Sequence, residues 1–106
     1  MRDLTWSPSE KVIAKRAFDM ALNKELESVM GKVREMAGEI RRPADLWAME
    51  QFLAKCRNEI DDKYDYRYSQ LPLIFGRLIR EGWLTEDDLT GLGSGKMDYI
   101  RIIAKI

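Results

Sequence analysis

Three short clusters in this chain have the residue types that chemistry needs. Asp61, Asp62 and Asp65 are close enough to suggest a calcium loop. An EF-hand, however, needs a glycine at its sixth position and a fixed ligand rhythm, and Asp61-Asp62-Lys63-Tyr64-Asp65-Tyr66 has neither, so no metal site is expected there. Gly91, Gly93 and Gly95 form G-x-G-x-G, but no strand precedes them and their spacing to the next helix is wrong for a phosphate loop. They are read as a helix connector. Tyr64, Tyr66 and Tyr68 alternate with other side chains in the manner of a base-stacking platform. Yet 18 Lys and Arg against 18 Asp and Glu leave no basic surplus, and nucleic-acid binding normally requires one. Half-buried aromatics at a helix junction are the better reading. There is no histidine, and Cys56 is the one cysteine. The commonest general base, the commonest metal ligand and any internal disulfide are therefore missing, so no catalytic residue, metal or cofactor is expected. Cys56 is read as a small buried hydrophobe.

Trp47, Glu50, Arg57 and Asp61 make a stripe of another kind, lying near one another on one side of a helix. An amphipathic Trp and a permanently charged Arg beside an apolar seam are what protein interfaces enrich. The alternative is a surface Arg57–Asp61 pair of little energetic value. Spacing alone leaves both open.

The elements that must carry these residues are helical. Ser7-Pro8-Ser9-Glu10 combines a cap, a proline for the first turn and a glutamate that can close a capping box. From it runs an a/d pattern, with Leu22, Val29 and Met36 one heptad apart and Leu26, Val33 and Ile40 four residues behind each. The helix is expected to end near residues 38–42, with Gly31 as a possible bend. Arg41-Arg42-Pro43-Ala44-Asp45 is a tight junction into a second helix, whose stripe is Leu46, Met49, Leu53, Cys56 and Ile60. Lys55–Glu59, Arg57–Asp61 and Glu59–Lys63 stand at i,i+4 spacing on its outer face. After a polar, aromatic stretch, Leu71, Ile74, Phe75, Leu78 and Ile79 mark a third helix stopped at Glu81-Gly82. Thr85-Glu86-Asp87-Asp88 opens a short helix, and residues 96–106 form a last amphipathic one, with a β-prone reading at residues 99–103.

One all-α domain, residues 1–106, is thus expected, with a hairpin stalk over about 8–62 and a helical head over about 65–106. A compact globule of this length has a radius of gyration of roughly 13 Å and a diameter near ~33 Å, whereas a helix of ~32 residues is ~48 Å long. The hairpin must protrude. Its apolar stripes need covering, and a second copy on a twofold axis is the simplest cover, so a homodimer is expected. No apolar run approaches the ~20 residues needed to cross a bilayer, and residues 1–6 lack the apolar core of a signal peptide, so the chain is expected to be cytoplasmic and not membrane-inserted.

At the stripe on the second helix the sequence resembles a known family. Asp45-Leu46-Trp47, Phe52-Leu53, Arg57, Glu59-Ile60-Asp61, Lys63-Tyr64-Asp65 and Arg67 are similar to the D-L-W…F-L…R-x-E-I-D-x-K-Y-D-x-R signature of the fluorescence recovery protein family. Phe75, Leu78, Glu81-Gly82, Asp88-Leu89-Thr90, Leu92 and Lys96 continue the match. The resemblance implies a small dimeric helical accessory protein. Its cyanobacterial members bind the C-terminal domain of light-activated orange carotenoid protein, speed its return to the resting form and detach it from the phycobilisome. It places Trp47 and Arg57 on the family's interface patch; with the neighbouring Leu46, Glu50, Gln51, Leu53 and Asp61 they are the expected dimer or partner interface, and Leu73, Phe75 and Tyr99 are the expected head contacts. Glu50-Gln51 stand where the family pattern has His-Asp, and Leu73 and Tyr99 stand in place of an aromatic and a lysine. An adaptor or regulator with a different protein partner is the alternative. A helical chorismate mutase is disfavoured because its N-terminal L-R-x-x-I-D pattern has no counterpart near residues 11–19.

Overall fold

The computed structural model describes residues 5–106; residues 1–4, part of the N-terminal stretch considered above for a leader, lie outside the described residues. The order is α1 (Pro8–Gly38), α2 (Pro43–Lys63), α3 (Leu71–Glu81), a 3-10 turn (Glu86–Leu89) and α4 (Ser94–Ala104). The described residues are all-helical in their regular structure, with a long antiparallel hairpin stalk and a small helical head.

Each helix begins and ends where local chemistry dictates. Ser7 Oγ accepts from Glu10 N at 3.1 Å while Glu10 Oε1 accepts from Ser7 N at 3.0 Å, so the capping box closes. α1 runs unbroken through Gly31 and ends at Gly38. In the short junction that follows, Asp45 Oδ2 accepts from the backbone N–H groups of Arg41 and Arg42, satisfying donors that the start of α2 would leave free. α3 stops at Gly82, whose φ of +87° is the left-handed conformation that favours glycine. Thr85 opens the expected short helix as a four-residue 3-10 turn, with Asp88 Oδ2 accepting from Thr85 N at 2.9 Å. The β-prone residues 99–103 are helical within α4.

The core lies in the head and at the base of the stalk. Ala14, Ala17, Phe18 and Ala21 of α1 meet Leu71, Phe75 and Leu78 of α3, Leu89 of the turn and Ile100 of α4. Small residues on α1 let the neighbouring backbones approach. Gly76 does the same between α3 and α4, since a Cβ there would sit 2.5 Å from Ile103 Cβ and 2.9 Å from the Ile100 carbonyl. Beyond Ala21 no stalk residue is buried until Lys63. The protein measures 53 × 24 × 21 Å with a radius of gyration of 16.7 Å, so the hairpin does protrude.

Candidate functional site: an uncovered stalk face and an ionic junction

Leu46 and Leu53 of the α2 stripe are exposed in a single copy, and Met49, Cys56 and Ile60 are half-buried. Leu46, Met49, Glu50, Leu53, Ala54 and Arg57 line a shallow groove of about 600 Å³. Trp47 is 59% exposed beside them, and Gln51 and Asp61 are also exposed. The seven expected stalk residues thus share α2, but only Leu46, Glu50, Leu53 and Arg57 line the groove. Cys56 is half-buried rather than buried, because it lies on the open part of the hairpin.

In the head, Leu73 is 45% exposed on α3 and Tyr99 is half-buried on α4. Phe75 corrects the expectation: it is 0% exposed, so it is part of the core and cannot touch a partner directly. Two residues beyond Leu73, it has turned to the opposite side of the helix.

The outer-face ion pairs on α2 also need correction. Among the described residues Lys55–Glu59, Arg57–Asp61 and Glu59–Lys63 do not close into salt bridges. Lys63 turns inward instead, 6% exposed, and its Nζ lies 2.7 Å from the Glu25 carboxylate and 2.6 Å from Glu81 Oε1. Tyr64 Oη donates to Glu25 Oε1 at 2.7 Å, and Arg77 Nε donates to Glu81 Oε2 at 2.8 Å. One ammonium therefore ties α1, the end of α2 and α3 together at the point where stalk meets head. Burial followed by the Glu25 hydrogen bond pushes the Tyr64 phenol up, so it remains a donor. Burial works against ionisation of Glu81, but the hydrogen bonds from Lys63 and Arg77 outweigh it and hold its carboxyl below the ordinary carboxylate value.

A second buried pair closes the other side of the head. Lys96 Nζ lies 3.1 Å from Glu10 Oε2 and donates to the Thr5 carbonyl at 2.7 Å, while Gly93 N donates to Glu10 Oε2 at 2.8 Å. Hydrogen bonds from the Ser7 and Gly93 N–H groups, helped by Lys96, lower Glu10 to about 2. Both pairs escaped the sequence reading because their partners are far apart along the chain. The available signal was the family signature, which already contained Lys63, Tyr64 and Lys96.

Residues 6–104 match the family described as photoprotection regulator fluorescence recovery protein. The chain belongs to the fluorescence recovery protein family. It is 35% identical over 101 residues to the fluorescence recovery protein of Synechocystis sp., a match covering 95% of this chain and 93% of that one. The solved structure of the Fremyella diplosiphon fluorescence recovery protein superposes with a TM-score of 0.92 at 38% identity, covering 96% of this chain and all of the other. The Synechocystis structure gives a TM-score of 0.92 at 34% identity over the same share. Family membership makes this chain a photoprotection regulator by descent. Long stalk and small head are accordingly the fluorescence recovery protein fold. Among the described residues no helix is long and apolar enough to cross a membrane.

Proposed function

We propose that the chain acts as a homodimeric, non-enzymatic regulatory protein that binds the C-terminal domain of an orange carotenoid protein and accelerates its return to the resting form, ending phycobilisome quenching. The observation that carries this reading is the family match over residues 6–104. It is supported by the α2 face: Leu46, Trp47 and Leu53 are exposed in one copy, and an apolar stripe along a protruding hairpin calls for a second surface. The chain would fold as one unit, the stalk making the dimer and the head presenting Leu73 and Tyr99 to the partner. No bond need be made or broken. Such an effector binds one conformer of its partner better than the other, and that difference in affinity sets the shift.

Glu50-Gln51, Leu73 and Tyr99 favour a divergent specificity, with a carotenoid protein of the same host preferred over those of other members, or a different protein partner altogether. The test is gel filtration of the full chain with the isolated C-terminal domain of an orange carotenoid protein. A co-migrating complex that Leu73→Glu abolishes is expected. Separate elution with every carotenoid protein tried, including any from the host, would move the function to the different-partner reading.

A further inference from the structure

A second surface lies on α1 near its N-terminal end and shares no lining residue with the α2 groove or with Leu73 and Tyr99. Lys11, Lys15 and Arg16 project from two turns of α1 and, with Val12, Tyr66 and Tyr68, line an open groove of about 520 Å³. Asp19 is the one carboxylate in the lining and is held 3.1 Å from Lys15. Lys11 and Arg16 have no carboxylate partner among the described residues. Three cations against one carboxylate make a local positive surface on a chain whose formal net charge is zero. Val12, 58% exposed, gives it an apolar floor.

The aromatic rings decide what can sit there. Lys11 Nζ stands 5.4 Å from the Tyr68 ring centroid and Lys15 Nζ 5.0 Å from that of Tyr66. The lysines thus occupy ring faces that a stacked base would need. Each ammonium over a ring still has N–H donors free for a carboxylate. Burial, then a hydrogen bond with Tyr68, pushes the Tyr66 phenol up to about 12, so no phenolate opposes an anion.

We propose that this groove docks an extended acidic segment of a partner protein, its carboxylates on Lys11, Lys15 and Arg16 and an apolar side chain on Val12 between the Tyr66 and Tyr68 ring edges. The proposal stands independently of the carotenoid-protein reading, because it uses neither the α2 groove nor the exposed head residues.

Fluorescence anisotropy of the full chain tests it, with a fluorescein-labelled twelve-residue peptide alternating Glu with Leu and Phe, its Glu→Gln counterpart, and labelled dT12 as probes. Saturable binding of the acidic peptide is expected, weaker by at least tenfold for the Gln peptide and for the Lys11→Glu/Arg16→Glu double variant, and declining with added salt. Both substituted side chains are exposed, and an unchanged circular dichroism spectrum would show that the variant is folded. No saturable binding, equal binding of acidic and neutral peptides, or binding that the double variant retains would overturn the proposal. Tighter binding of dT12 than of the peptide would overturn it in favour of a nucleic acid. A changed sedimentation mass of the double variant without peptide would overturn it in favour of a second copy of this chain.

Discussion

Lys63 and Glu10 show how much a single residue decides here, and how little of that decision is local. An ammonium taken out of water is costly unless its partners compensate, and Lys63 has Glu25 and Glu81 within 2.7 Å. Lys63→Met removes the cation but leaves both carboxylates in place, so a loss of about 3 kcal/mol in urea-unfolding stability is expected. A loss below about 0.5 kcal/mol would put Lys63 among ordinary surface residues. For Glu10 the prediction concerns pH. Its carboxyl falls from an ordinary 4.5 to about 2 in the fold. Its contribution is therefore complete above 4.5 and is lost as pH falls from there toward 2. Unfolding free energy measured across that window should drop more steeply for the wild type than for Glu10→Gln; parallel slopes would contradict the assignment. The cap formed by Glu10 was legible in Ser7-Pro8-Ser9-Glu10, since its partners are three residues apart. Its bond to Lys96 was not, because sequence periodicity carries no information about a contact 86 residues away.

At the level of elements, the helix boundaries were the most legible feature, because each rests on short-range chemistry: a capping box at Ser7, a proline at residue 43, a left-handed glycine at residue 82. What the pattern left undecided is which side of a helix meets a neighbour when both sides carry apolar groups. α3 has Leu73 outward and Phe75 inward, and the packing of α1 and α4 on its inner side separates them. That packing depends on Gly76. Arg80 Nη1 adds a hydrogen bond to the Ile103 carbonyl at 3.0 Å on the same seam. Gly76→Ala should push α4 away from α3 and cost about 1–3 kcal/mol, although alanine is the better helix former. Thermal unfolding by circular dichroism is the check. A raised midpoint would mean that the seam adapts and that helix propensity governs.

For the whole molecule, the length of α1 against the size of a small globule announced a protruding stalk, and the 53 Å long axis agrees. The uncovered stripe on α2 then predicts self-association. Sedimentation equilibrium at micromolar concentration should return twice the 12.4 kDa chain mass. Arg57→Ala, at the edge of the groove, should weaken the dimer by more than the ~1 kcal/mol of an exposed ion pair while leaving the helices intact. An unchanged dissociation constant would return Arg57 to the solvated face. The sequence signature around residues 45–67 located this region. Periodicity alone could not choose between an interface and a solvated ion pair, since both place Arg57 beside an apolar stripe.

In the proposed function, the chain shifts a photoactivated carotenoid protein back to its resting state. The most direct measurement is the dark decay of the red-form absorbance of an activated orange carotenoid protein, from the host or a close relative, with and without a molar excess of this chain. Faster decay with the wild type is expected, with a smaller effect on the carotenoid proteins of other hosts. Unaltered decay across several carotenoid proteins, together with no detectable complex, would contradict it.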